Sequence, residues 1–340
     1  MSQRHEPARR PPAALSRRRL LALAAAAAGG ALAPAAPVWA QAPAWPTKPV
    51  RLVVAFAPGG PADIVARLVA QVLQDKLGQQ VVVDNRPGAG GNIAARLVAR
   101  EAADGHTLLA TTSSMAVNQT LYKDPGYDAL RDFTPVALVA ASPNIIVAHP
   151  SEPAADLKAF LRAYKGKSVS YGSAGVGSTP HLTADHVLRV LGGLDAVHVP
   201  YQGAAPALQA TVANQVQLAS VALPPAIPLV KAGKVKALAV TSLKRIASLH
   251  DVPTVAEAGF ADFEDYTWVG IFGPAQLPAD VVVRLNTLVN EALRSADMQS
   301  RLAAAGLEPL PGTPAAFADY LKREVAKWGR IVKDTGVSTQ

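Results

Sequence analysis

The sequence predicts an α/β protein of two lobes, each a doubly wound sheet flanked by helices. Three observations point there. Short apolar runs alternate with amphipathic helical patterns from residue 50 to 110, and the alternation starts again after residue 136. The chain then ends on a single strand followed by three helices, too little for a domain of its own. Such a tail is expected to return over the first sheet, with crossings near 140–148 and 262–270 and a cleft between the lobes. The expected boundaries are 41–143 with 266–340 for lobe 1, and 144–265 for lobe 2.

The run at 50–56, VRLVVAF, is apolar throughout, like a strand covered on both faces of a parallel sheet. Pro58-Gly59-Gly60-Pro61 ends it. Ile64, Val65, Leu68, Val72, Leu73 and Leu77 then share one helical stripe, which Gly78 stops. Pro61 suits the first helical position. Asp63 falls in the first turn, where it meets the positive end of the helix and can orient the preceding loop. A strand over 80–84 leads to the loop 86–91. Asn92 is expected to cap a helix reaching about residue 103, and 106–110 is the next strand. This βαβαβ order calls for parallel strands with right-handed crossovers.

In the second series, strands at 136–140 and 145–148 precede a helix carrying Leu157, Phe160, Leu161 and Tyr164. The strand at 168–171 passes through the turn 172–179 into a helix over 180–191. Strands at 196–199, 216–221 and 235–241 alternate with helices at 205–213 and 226–231. Thr254 and Glu257 have capping-box spacing and are expected to start a short helix. The last strand, 267–272, precedes helices at 279–295, 298–305 and 314–332, the last capped by Thr313.

Half of the residues are hydrophobic and 17% are charged, so the chain folds around a core. Lys and Arg number 33 against 25 Asp and Glu, a net charge of +8. Arg4, Arg9, Arg10, Arg17, Arg18 and Arg19 lie with Glu6 in the first forty residues, which leaves 27 basic and 24 acidic residues elsewhere. That balance argues against a nucleic-acid partner, which needs clustered cations in the mature domain. With no cysteine, the chain has no disulfide, thiolate zinc site, cysteine nucleophile or lipidated cysteine. The first forty residues read as an export leader. Arg17-Arg18 suits a twin-arginine or a Sec signal, the Ala/Leu stretch over 20–32 is shorter than the roughly 20 residues of a span, and Val38-Trp39-Ala40 suits cleavage after Ala40. The expected product is a soluble periplasmic monomer.

Several catalytic motifs fail on inspection. In the loop Gly88-Ala89-Gly90-Gly91, the third glycine of a dinucleotide fingerprint would fall at Ile93; in the loop 172–179 it would fall at Pro180. No Walker lysine follows either loop. A nucleophile elbow at Ser173 needs glycine where Tyr171 stands. His181 and His186 are five apart and do not share a helix face as paired zinc ligands do. No cofactor or metal is expected. His181 beside a Ser/Thr loop has the position of a general base but no assigned carboxylate partner.

Four strand-to-helix turns stand out instead: 57–60, 111–118 (TTSSMAVN), 172–179 (GSAGVGST) and 200–204 (PYQGA), two from each lobe. Doubly wound sheets bind ligands at such turns. Free N–H groups at helix starts, joined by the hydroxyls of Ser113, Ser114, Ser173, Ser178 and Thr179, suit a carboxylate. Each residue alone reads as an ordinary turn former or cap, and only the four turns together favour binding. Tyr201 is placed to flank a ligand, Trp268 reads as core and His198 as a structural donor.

The chain resembles the Bug-type receptors, the periplasmic solute-binding proteins of tripartite tricarboxylate transporters. The resemblance covers about residues 46–335 and rests on six ordered motifs: APGGPAD at 57–63, VDNRPGAGG at 83–91, YGSAGVGS at 171–178 with His181-Leu182, HVPYQG at 198–203, GKVKALAV at 233–240 and VPTVAEAG at 252–259. It implies a two-lobed "Venus flytrap" of the type II binding-protein class that captures a small carboxylate and delivers it to a membrane permease. It places Pro58, Gly59 and Gly60 on one carboxylate, adds Ser113, Ser114 and Asn118, and closes Ser173, Gly177, Ser178, Thr179 and His181 over the ligand. One stretch departs from the family pattern. Gln217 and Val221 stand where the family commonly has acidic residues. If Val221 lies in the cleft, an amino group loses its acidic partner and an apolar or aromatic carboxylate is favoured. Two other functions remain open, a ligand-presenting sensor and an exported enzyme acting on a carboxylate.

Overall fold

Strand β1 (Val50–Val54) has four of its five residues buried, as its unbroken apolar run requires. In the computed structural model, which describes residues 45–337, it pairs in parallel with β2 (Val81–Asn85) and β3 (Thr107–Thr112). Between the first two runs α1 (Pro61–Leu77), with proline in its first turn, ends at Gly78 in the left-handed conformation, φ 67°, whose N–H bonds Gln74 O. Asn92 does not cap. It is the first residue of α2 (Asn92–Val98), and Gly91 holds the cap position. Its buried Oδ1 accepts from Asn118 Nδ2 (2.8 Å) and Tyr127 OH (2.9 Å) instead. The helix stops short of the expected end, as the chain turns into Asp104, whose carboxylate accepts from His106 N.

After α3 (Ser114–Leu121), the two strands expected around residue 140 prove to be one, β4 (Phe133–Ala148). Pro143 ends neither; it marks an exchange of partners. Up to Pro143, β4 pairs antiparallel with β9 (Tyr266–Pro274). From Asn144 it pairs antiparallel with β7 (Leu218–Ala222) and β8 (Lys236–Val240). Both sheets then follow the same order. One runs β2-β1-β3-β9-β4, with β10 (Glu308–Pro309) on β4. The other runs from β6 (Asp195–Pro200) through β5 (Ser168–Ser173) and β7 to β4, which also carries β8. The parallel strands expected from the βαβαβ order are found in β1, β2 and β3, and in each sheet three parallel strands are followed by an antiparallel crossing strand, β9 in the first and β4 in the second.

In the second lobe, Asp156 caps α4 (Leu157–Ala163) through Ala159 N, and Ser178 caps α5 (Thr179–Asp185) through His181 N. A π-helical turn, His186–Leu191, continues α5. Helices α6 (Ala204–Val212) and α7 (Ile227–Lys231) follow. Thr254 and Glu257 make the reciprocal bonds of a capping box, but only a turn follows, ending at Gly259 with φ 116°. Ile146, Phe160, Tyr171 and Leu218 form the core on one face of this sheet; Ile145, Val147, Val221 and Leu223 form it on the other.

The tail helices, α8 (Ala279–Arg294), α9 (Ala296–Ala304) and α10 (Pro314–Thr335), return over the first sheet. Leu285, Val289, Phe317 and Leu321 share one core with Val53, Leu109 and Phe272. Trp268 is fully buried there, and its indole N–H and that of Trp328 both donate to Glu324 Oε2 at 3.0 Å. Among the described residues no helix is long and apolar enough to cross a membrane. The leader expected over 1–40, with its cleavage after Ala40, lies outside the described residues.

Candidate functional site

The segments that follow β1, β3, β5 and β6 meet at one gap. Phe56, Gly60 and Pro61 line it from the first turn, Thr112 from the second, Ala174, Ser178 and Pro180 from the third and Ala204 from the fourth. Ala222 of β7 and Thr267 of β9 complete a cavity of ≈ 20 Å³, room for about one water. The starts of α1, α5 and α6 therefore converge on a space that no ionisable side chain lines. Backbone N–H groups and helix dipoles at such ends favour a negative charge. A neighbouring recess of ≈ 290 Å³ shares Phe56 and Ala174 and is lined also by Gly88, Gly90, Tyr122, Tyr201 and Gln202. A larger recess, ≈ 570 Å³ between residues 242–248 and 303–308, shares no residue with the four turns.

The lobes touch directly around the gap. Ala57 N donates to Gln202 O (3.1 Å), Tyr122 OH to Val176 O (3.2 Å), and Ser113 Oγ lies 3.1 Å from Thr179 Oγ1. Space for anything larger than water therefore requires the lobes to part or the turns to shift.

The residues singled out in the sequence divide into three groups. Gly60 and Ser178 line the cavity, and Tyr201 lines the adjoining recess. Ser113 and Thr179 make the hydroxyl contact between lobes. The others stand behind and hold the turns. Pro58 and Gly59 are exposed, and Gly59 N donates to Asp63 Oδ2 (3.0 Å). Burial raises the Asp63 pKa, but hydrogen bonds from Arg67, Gly59 N and Asn85 outweigh it, leaving the carboxyl below its ordinary value. Ser114 Oγ lies 3.0 Å from Thr112 Oγ1 in a hydroxyl hydrogen bond, and Asn118 Nδ2 donates to Gly90 O (3.0 Å). Gly177 donates its N–H to His181 Nδ1 (3.4 Å), and a β-carbon on Gly177 would fall 2.1 Å from Asn118 Oδ1. Val221 is corrected outright: side chains alternate along β7, so Val221 packs in the apolar core while Ala222 lines the cavity.

His181 sits in an aromatic stack rather than on the cavity wall. Its ring centroid lies 4.0 Å from that of His198, which lies 5.0 Å from that of Tyr171. Burial pushes His181 down to about 4 and, with the neighbouring imidazole, pushes His198 to about 3. Both rings are neutral at pH 7. The contact of Ser173 Oγ with His198 Nε2 (2.7 Å) has the outline of a nucleophile and base. Yet Ser173 is fully buried, and an imidazole so hard to protonate is a weak base. The pair holds the turn through Gly175, whose N–H donates to Ser173 Oγ (3.2 Å).

Of the other lining residues, Thr112, Ala174 and Ala204 lie inside the four turns without having been named as ligand groups, and Phe56, Ala222 and Thr267 lie outside them. Small or apolar residues at strand ends and helix starts look like core, and only the turns mark them.

The family described as "Tripartite tricarboxylate transporter family receptor" matches residues 65–337. The protein BugT of Bordetella pertussis is 33% identical over 306 residues, covering 89% of this chain and 93% of BugT. A structure of an R. palustris protein with adipate superposes with a TM-score of 0.83 at 36% identity, covering 86% of this chain and 99% of that one. MatC from Rhodopseudomonas palustris with bound malate gives 0.79 at 34% identity, covering 85% and 100%.

Proposed function

The chain belongs to the tripartite tricarboxylate transporter receptor family, the Bug-type periplasmic solute-binding receptors, and from that premise we propose that it captures a small carboxylate between its lobes. It hands the ligand to a membrane permease, works as a monomer and catalyses nothing. The lobes comprise 41–143 with 266–340, and 144–265. The carrying observation is the convergence of three helix starts on a cavity without an ionisable side chain. Neutral dipoles satisfy an anion there without fixing a counter-charge, and Phe56, Pro61, Ala174, Pro180 and Ala222 make the remaining wall apolar. An amino group would find no acid to pair with, which favours dicarboxylates, apolar acids or aromatic acids over amino acids.

The ligand's first carboxylate lies over the starts of α1 and α6, and its chain passes Phe56 and Ala174 toward the adjoining recess. Closure is selected because each lobe supplies only part of these contacts. The relatives holding adipate and malate support this class. Isothermal titration with adipate, malate, citrate, benzoate and aspartate tests it. One-to-one binding of at least one acid lacking an amino group, with no product by mass spectrometry, is expected. Tight binding of aspartate alone, or turnover lost in His181→Ala, would refute it.

A further inference from the structure

A chain of hydrogen bonds runs from the gap to a buried carboxyl between the lobes. Thr267 Oγ1 donates to Asn144 Oδ1 (2.8 Å), and Asn144 Nδ2 donates to Asp265 Oδ2 (2.7 Å). A hydroxyl has one proton to give. With that of Thr267 committed to Asn144, the 2.7 Å contact between Thr179 and Thr267 requires Thr179 to donate. The 3.1 Å contact between Ser113 and Thr179 then requires Ser113 to donate. All three protons run toward Asp265, and Thr267, which lines the cavity, offers a ligand only lone pairs.

Asn144 sets this direction. Turning its amide round would bring Oδ1 against an ionised Asp265 oxygen, two acceptors at hydrogen-bond distance. A proton on Asp265 Oδ2 removes the obstacle: Oδ2–H donates to Asn144 Oδ1, Asn144 Nδ2 donates to Thr267, and the Thr267 proton is released for the cavity. We propose that Asp265 is a positioning residue for the ligand, its protonation switching the interlobe hydroxyls from acceptors to donors, so that capture of a carboxylate takes up one proton from solvent. The proposal rests on reading the gap as a carboxylate site.

The surroundings of Asp265 suit such a proton. It is 6% exposed, and its Oδ1 has no hydrogen-bond partner. Burial raises its pKa, more than the hydrogen bonds of Thr183 and Asn144 and the charge of Lys327 lower it, and the charge of Glu324 adds to the rise. The groups facing it are Thr183 of α5, Asn144 of β4, and Lys327, Glu324 and Tyr320 of α10. A recess of ≈ 130 Å³ lined also by His186 and Glu264 gives solvent a route to it.

Titrating the purified protein with adipate at pH 7, in buffers of different ionisation heat, counts the protons taken up, since adipate is already dianionic there. Uptake approaching one proton is expected, with affinity falling by up to about tenfold per pH unit as the pH rises. Asp265→Asn should bind without uptake and with a flat pH profile. Thr267→Val, which cuts the chain but leaves the carboxyl, should lose the uptake too. Adipate binding without uptake in the unmodified protein, or uptake that persists in either variant and so belongs to His181 or His198, would overturn the proposal. If no acid in the panel binds at all, the carboxylate reading fails first and takes this proposal with it.

Discussion

Gly90 of one lobe lies so close to Val176 of the other that a β-carbon on it would fall 2.2 Å from the Val176 carbonyl oxygen. Its φ of 62° also lies in the left-handed region. The glycine-rich loop that fails as a dinucleotide fingerprint thus lets two backbones approach across the gap.

Gly90→Ala is therefore expected to hold the lobes apart. Its left-handed conformation costs about 1–2 kcal/mol of stability. Adipate binding should weaken by at least tenfold, about 1.4 kcal/mol, and small-angle scattering should show a larger radius of gyration. Unchanged affinity and radius would mean that the lobes do not need this contact to close.

Glu324 accepts two buried indole N–H groups through one oxygen, tying Trp268 of the crossing strand β9 to Trp328 on α10. Glu324→Ala strands both donors and is expected to cost about 2–5 kcal/mol. Glu324→Gln keeps an acceptor and should cost less than half of that. Urea denaturation followed by tryptophan fluorescence measures both, and equal losses would contradict the shared-acceptor account.

The alternation of strand and helix was legible in the sequence because apolar spacing at two and at 3.6 residues records burial directly. The single strand Phe133–Ala148 was not, since its apolar pattern reads as two short runs and only the paired strands show that Pro143 marks a change of partner. The parallel direction of β1, β2 and β3 followed from their helical crossovers, but the antiparallel crossing of β9 and β4 was hidden, being a property of pairs. At the site, glycine and serine marked the turns correctly but, apart from Gly60 and Ser178, not the lining. Asn118, His181 and Ser173 look like ligand groups, yet in a closed gap they spend their hydrogen bonds on Gly90, Gly177, Gly175 and His198. The wall fell to small and apolar neighbours such as Ala174 and Ala222.

The paired imidazoles give stability a defined acid limb. His181 is lowered from 6.5 to about 4 by burial, so the unfolded chain takes up the proton first. Stability is unaffected above pH 6.5, falls as the pH drops below it, and levels off near pH 4, a loss of roughly 3 kcal/mol. Asp265 acts in the opposite sense, because its raised pKa favours the folded state as the pH falls. Comparing the chain with His181→Gln isolates the imidazole: urea midpoints at pH 7, 5.5 and 4.5 should decline less in the variant. Parallel declines would remove His181 from the account.

Val221 and Ala222 are adjacent on β7 but face different surroundings, one the core with Ile145 and Leu223, the other the gap. A carboxylate at the two positions should therefore fail in different ways. Val221→Asp buries a charge with no partner and is expected to lose about 3–5 kcal/mol of stability, visible as a lowered urea midpoint. Ala222→Asp should fold, because its carboxylate meets the positive ends of α1 and α6 in place of a ligand. Its adipate affinity should fall at least a hundredfold, about 2.7 kcal/mol, while aspartate, whose ammonium gains a partner, should weaken less or bind better. An Ala222→Asp protein that keeps its adipate affinity would move the carboxylate site away from these helix starts, whatever the fate of Val221→Asp.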